Sequence, residues 1–242
     1  MSILVTGSVA IDHIMVFRDR FRNHILPDRL HILNVSFHVS QLRRHFGGTA
    51  GNIAYNLKLL GGDGKVMATV GTDFDPYRAW MRDCGLPLDL VRQLDDQYTA
   101  QAYITTDAAN NQITAFHPGA MNHDHLNAVP TDGSIGLGIV APESHAGMRQ
   151  HDAQFVAAGI PFVFDPGQAM TLFNGEELRA LMLDGRATRT SQLCEEGSQQ
   201  WFPAGNVLPE LGSPPTSPAP ASPPDRLMER SSFGIWSQGK NS

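Results

Sequence analysis

FGGTAGNIAYNLKLLGG, residues 46–62, is the stretch that decides the fold. Gly47 and Gly48 lead into a helical pattern: Ile53, Leu57 and Leu60 fall at i, i+4 and i+7, and Gly61 stands where a helix C′ residue belongs. Adjacent glycines before a helix let a ligand approach the backbone, and the helix N-terminus offers N–H donors. Asn52, one turn in, can aim its amide at the same ligand. The bare pattern also fits a flexible entry with Asn52 on the solvent side. It is neither a P-loop, since GGDGK at 61–65 has the wrong spacing, nor a dinucleotide fingerprint.

Upstream, the apolar run Ile3–Thr6 ends at Gly7 and reads as a buried parallel strand. GSVAID (7–12) then places Asp12 just past the carboxyl end of that strand, where ligands bind in open α/β sheets. A carboxylate there can accept two hydrogen bonds from a vicinal diol, with Ser8 adding a third polar contact. The same spacing equally fits an aspartate that caps a turn.

Segment 34–40 alternates, with Val35, Phe37 and Val39 on one side, so it reads as a half-exposed strand. Downstream of the glycine segment, Asp75-Pro76 can start a helix with Asp75 as N-cap, burying Trp80, Met81 and Cys84 and ending at Gly85. Thr99–Thr105 and Gln112–Phe116 flank the turn DAANN, a β-hairpin over 99–117. Ile135–Ala141 and Pro161–Phe164 are apolar strands with a helix near 147–158 between them. Strand–helix–strand order with apolar strands predicts a doubly wound parallel α/β sheet. Segment 34–40 and the hairpin do not fit that sheet and predict a small separate β-layer.

Other candidates carry less. Phe116 ends the hairpin and can stack on a planar base, although a phenylalanine there is more often core. His123 and His125 flank Asp124, but no third metal ligand stands at a telling spacing, and the pair reads as an exposed loop. Ser144-His145 lacks a nucleophile-elbow glycine pattern. RDRFRNHILPDR (18–29) reads as a solvated face.

Composition bounds the rest. A chain of 242 residues with 41% hydrophobic content can hold a sizeable core. A net charge of -6 argues against a general nucleic-acid partner. Two distant cysteines, Cys84 and Cys194, suit a reducing cytoplasm. No export signal and no membrane span are expected. Of 16 prolines, half lie between Pro203 and Pro224, so 186–242 is expected to be a low-complexity tail with weak helical hints at 192–201.

Taken together, residues 1–185 resemble the PfkB or ribokinase-like family of sugar and nucleoside kinases, most of all its bacterial adenosine kinase-like branch. The resemblance rests on GSVAID (7–12), LNVSFHVS (33–40), FGGTAGNIAYNLKLLG (46–61), ATVGTDF (68–74), TAQAYITT with NQITAFHPGAM (99–121) and FDPGQ (164–168). It implies an α/β core with a β-sheet lid, here segments near 13–45 and 98–117, closing over the acceptor. Asp12 would hold ribose hydroxyls, with Gly47, Gly48 and Asn52 at the same sugar. Ser8 and Ser36 would line the pocket, Phe116 would pack on the base, and Gln168 would lie near the acceptor. Val35 and Phe37 would form the underside of the lid. The resemblance also implies ATP and Mg²⁺, a nucleoside or sugar acceptor, and pairing of two copies through the lid.

One family element has no counterpart. The second signature, an Asp-Thr-x-Gly-Ala-Gly-Asp-type segment, supplies the backbone anion site and the catalytic base in such kinases. It does not occur in the sequence, so no catalytic residue is assigned. The resemblance stops near LMLDG (181–185), which suggests a frame change in the gene and predicts impaired phosphoryl transfer; the alternative is a non-catalytic nucleoside- or sugar-binding remnant, or a frame-shifted non-functional product.

Overall fold

Ser2–Thr6, the run SILVT, forms β1 at the centre of a five-stranded parallel sheet. In the computed structural model, residues 1–181, 192–194, 201–203 and 206 are described. They divide into two units, Met1–Pro166 and Gly167–Ser242. Among the described residues, no helix is long and apolar enough to cross a membrane.

In the first unit, the chain order gives β2 (Ala10–Phe17), β3 (Val39–Gly47), α1 (Thr49–Leu59), β4 (Gly64–Val70), α2 (Asp75–Asp83) and β5 (Val91–Gln93). There follow β6 (Ala100–Thr106), β7 (Gln112–His117), β8 (Ile135–Val140), α3 (His145–Ala157) and β9 (Phe162–Phe164). The parallel sheet runs β5-β4-β1-β8-β9, and a second sheet runs β3-β2-β6-β7. The expected α/β doubly wound sheet with a small separate β-layer is therefore what the chain builds. β4 was not singled out from the sequence, because Lys65 and its glycine-rich lead-in resemble a loop. Its Val66, Met67, Ala68 and Val70 are nonetheless fully buried.

The core lies between this sheet and helices α1 and α2: Val5, Val9, Ala50, Ala54, Val70, Phe74, Tyr77 and Met81 pack together. Here the helical pattern holds for Ile53 and Leu57 and needs correction at Leu60. Ala50, Gly51 and Ala54 form the buried face of α1, while Leu60 is 85% exposed. Small side chains let the helix lie close on the sheet; Ile53 and Leu57, half-buried, pack against the same core, and Leu60 at the helix end lies outside it. Gly61 does close the helix. Its N–H bonds Lys58 O and that of Gly62 bonds Leu57 O, the paired bonds of a left-handed cap, with Gly61 at φ 80°.

Three further expectations shift. Asp12 is not at the end of β1 but inside β2, in the small sheet. The strand expected at 34–40 begins only at Val39 and runs to Gly47. Phe37 leaves the ladder to pack on Phe17 and Phe21, each at 5.0 Å between ring centroids. The ladder then continues through Arg43, Arg44 and His45, exposed residues that no apolar pattern marks. α2 is capped one residue early, with Phe74 at the cap and Asp75 at the first helical position. The buried Phe74 already holds helical dihedrals, and its carbonyl accepts from Arg78 N–H.

The hairpin β6–β7 turns where DAANN predicted. Asp107 organises it by accepting from the N–H groups of Phe21, Ala109 and Asn111. Despite burial of its carboxyl, these bonds and the Asn111 amide hold its pKa at about 2.

The second unit contains a 3-10 segment, Gly167–Leu172, then α4 (Gly175–Leu181), β10 (Gln192–Cys194) and β11 (Trp201–Pro203). β10 and β11 pair antiparallel, so the helical hint at 192–201 is corrected to two strands. The run Trp-Phe is a stronger strand former than helix former. Most of the expected low-complexity tail, 186–242, lies outside the described residues.

Candidate functional site

Paired residues on neighbouring strands present their side chains to one face of a sheet. In the small sheet Asp12 pairs with His45 on β3 and with Ala102 on β6, and Ala102 pairs with Phe116 on β7. His45, Asp12, Ala102 and Phe116 therefore form one row on one face. Phe116 lies two strands from Asp12, about 10 Å at ordinary strand spacing. Its ring is 50% exposed, so it is not core. Ala102 between them is buried and carries only a methyl group.

The glycine pair adjoins this row. Gly47 pairs with Ala10, diagonal to Asp12, and a side chain at Gly47 would overlap the Asp12 carboxylate. The carboxylate thus lies directly against the glycine backbone. Burial pushes the Asp12 carboxyl above its usual range, and the neighbouring His45 and His13 pull it back. Gly48 caps α1 at φ 90°, ψ 148°, and crosses the backbone of Ser8, Val9 and Ala10 at close range.

Ser8 reaches the glycine turn with its hydroxyl already committed. Ser8 Oγ accepts from Thr49 N–H at 2.9 Å, and Ser8 O accepts from Ala50 N–H at 3.0 Å. The first N–H groups of α1, expected to face a ligand, are therefore bonded to Ser8. Asn52 is exposed in the first turn of α1, its carbonyl accepting from the Asn56 amide. Ser36 is exposed in the irregular segment before β3, outside the row. Gln168 is exposed in the second unit. The fold thus gathers Asp12, Gly47, Gly48 and Phe116, and puts Ser8 beneath them as a cap.

Two contributors escaped the sequence reading. His45 stands beside Asp12 on the same face; only the strand register reveals it. Tyr77, a buried residue of α2, donates its hydroxyl to Gly47 O at 2.9 Å. Burial and the Asp12 charge raise this phenol, so it remains a donor at neutral pH. Phe46 stacks on it at 4.5 Å. Replacing Tyr77 by Phe leaves the Gly47 carbonyl without its partner, which is expected to cost about 1–3 kcal/mol in chemical denaturation. An unchanged midpoint would show that this bond does not hold the turn.

His123 and His125 lie 6.1 Å apart between ring centroids. Asp124 between them is fully buried. Among the described residues no group of three or more His, Cys, Asp and Glu side chains is placed to hold a metal ion.

A five-stranded parallel sheet with a separate four-stranded sheet defines an α/β protein. The model for the pfkB family of carbohydrate kinases matches residues 5–130, and the chain belongs to that family. Among curated proteins it is similar to a nucleoside kinase of Methanocaldococcus jannaschii, 33% identical over 148 residues, covering 60% of this chain and 48% of the relative. It is also similar to one of Methanothermobacter thermautotrophicus, 26% identical over 183 residues, covering 73% of this chain and 55% of the relative. The chain spans about half the length of these curated relatives. Among solved structures it resembles the Burkholderia thailandensis nucleoside kinase in complex with inosine. The TM-score is 0.67 and the identity 51%, covering 74% of this chain and 57% of that one. A complex of the same kinase with ADP-inosine superposes with a TM-score of 0.63 at 53% identity, covering 74% of this chain and 56% of that one.

Proposed function

We propose that this chain is the acceptor-binding part of a nucleoside kinase. The ribose would lie on Asp12 and the Gly47–Gly48 backbone, and the base over Ala102 against Phe116. The observation that carries this reading is the cross-strand row, in which a carboxylate and a half-exposed aromatic ring share one face with only a methyl group between them. A vicinal diol satisfies both oxygens of one carboxylate, and a planar base gains by stacking on a ring edge or face. A bare pentose is too short to reach both. Asn52 and Ser36, exposed and unbonded through their side chains in the described structure, are assigned as further contacts from α1 and the lid. The inosine complex of the Burkholderia relative supports a purine nucleoside as the acceptor.

In the complete reaction the chain's residues would orient the nucleoside 5′-hydroxyl toward the γ-phosphate of ATP, the donor that kinase membership supports. Among the described residues no group of three or more His, Cys, Asp and Glu side chains is placed to hold Mg²⁺. The sequence contains no Asp-Thr-x-Gly-Ala-Gly-Asp segment to serve as anion site and base. The 242-residue chain, tested alone, is therefore expected to bind without turnover. Leu42, Tyr103 and Ile113 are exposed on the lid face opposite Asp12, and a second copy would pair there.

Calorimetry with adenosine, inosine, guanosine, ribose and fructose 6-phosphate, beside an ADP-release assay, tests the reading. Purine nucleosides should bind at least about tenfold more tightly than ribose, the equivalent of about 1.4 kcal/mol from base contact. Equal affinity for fructose 6-phosphate would shift the acceptor to a sugar. A folded chain that binds none of the five would sink the proposal, and turnover would overturn the expected inactivity.

A further inference from the structure

Glu143 and His151 form a pair with no exposed side-chain surface, His151 Nδ1 lying 2.6 Å from Glu143 Oε1. With the carboxylate as acceptor, Nδ1 carries the proton. Thr6 at the carboxyl end of β1 donates its hydroxyl to the same oxygen at 3.1 Å. Glu143 Oε2 and His151 Nε2 are buried without a hydrogen-bond partner in the described structure. Asp124 abuts the pair across Gly147, where an added side chain would touch both carboxylate residues. Asp124 has its own anchor, the Thr69 N–H at 3.1 Å.

Such a pair is a poor way to gain stability. Two ionisable groups lose their hydration, and well-packed apolar replacements are commonly neutral or stabilising. What the pair does fix is geometry. Glu143 follows Pro142, and the Pro142 carbonyl accepts from both Ser8 N–H and Thr49 Oγ1–H, each at 3.0 Å. Ser8 and Thr49 in turn bond each other and hold Gly48 against the start of β2. A continuous chain of contacts therefore runs from α3 to the turn on which Asp12 rests.

We propose that His151 is a positioning residue for the acceptor site. By gripping Glu143 it sets the loop Ala141–Ser144, and through Pro142 it sets the Gly47–Gly48–Thr49 turn. His151 touches no ligand. This inference rests on the nucleoside-binding reading only for its affinity readout.

The test compares His151→Ala, His151→Asn and Met148→Ala in the full chain, well below every unfolding midpoint. Met148 is a fully buried residue of the same helix and serves as a stability control. Asn can present an amide N–H near the position of Nδ1. Two readouts are taken: the adenosine dissociation constant, and hydrogen exchange at the Ser8, Thr49 and Ala50 amides. His151→Ala should weaken adenosine at least tenfold and speed exchange at those three amides at least tenfold. His151→Asn should recover most of both, and Met148→Ala should change neither while lowering the midpoint. Equal behaviour of His151→Ala and Met148→Ala at the three amides would overturn the proposal. If the parent chain binds no adenosine, the function reading fails while the exchange comparison still decides this one. If the alanine variant does not fold, His151→Leu takes its place, since it fills the space without an N–H: faster exchange at the three amides than in His151→Asn supports the role, and equal protection in the two variants overturns it.

Discussion

Asp12→Asn is expected to weaken nucleoside binding by on the order of 100-fold while leaving the ligand-free chain as stable as before, or more stable, at neutral pH. Two hydrogen bonds from a ribose diol to a carboxylate are each worth roughly 1.5–3 kcal/mol, and an amide can accept only part of them. The loss of about 3 kcal/mol corresponds to that fold-change. The stability half follows from linkage. Burial raises the Asp12 carboxyl above 3.8, so the folded chain binds this proton more tightly than the unfolded chain. Stability contributed by that proton is fully present below 3.8 and is lost as pH rises through the folded-state value. At pH 7 the wild-type chain therefore carries a partly buried charge that the asparagine variant lacks. Thermal unfolding at pH 7 and near pH 3.5, with calorimetry at pH 7, checks both halves. Loss of binding and stability together would mean that Asp12 supports the Gly47 backbone and is not held in place for a ligand.

Gly48→Ala should be among the most damaging small substitutions in the first unit, at about 4 kcal/mol from strain and overlap together. The residue sits at φ 90°, ψ 148°, a region essentially restricted to glycine, and holding another residue there costs about 1–3 kcal/mol. The new methyl would lie 2.5 Å from Ser8 O, 2.6 Å from Ala10 N and 2.7 Å from Val9 Cα. All three are backbone atoms, so no rotamer change relieves the overlap. The start of β2 must then separate from α1, and the Asp12–Gly47 contact opens. Gly61→Ala provides the contrast: φ is 80° but nothing lies within 4 Å, so only about 1–2 kcal/mol of backbone strain is expected. Denaturant midpoints of the two variants separate strain from collision. Similar losses would show that the turn is loose enough to absorb a methyl group.

The glycine turn, the hairpin about DAANN and the two apolar strands near 135 and 162 were legible because each depends on local chemistry. Left-handed dihedrals need glycine, Asx residues make tight turns, and strands buried on both faces read as apolar runs. β3 was misplaced because Phe37 answers to a distant aromatic cluster rather than to its neighbours. The face of α1 was read only in part: Ile53 and Leu57 pack on the core and Leu60 does not. A helix that packs very close to a sheet buries its alanines and glycine, and a hydrophobic pattern counts leucines.

The candidate site divides along the same line. On residue type alone Asp12, Gly47, Gly48 and Phe116 were open candidates, and the family resemblance is what singled them out as ligand contacts. Their shared face could not be named, because it depends on strand register, and one residue of slip would turn Phe116 away from Asp12. His45, Tyr77 and the Glu143–His151 pair enter only through contacts between residues far apart in the chain. A linear pattern records what a side chain can do, and the packed sheet decides which of those groups meet.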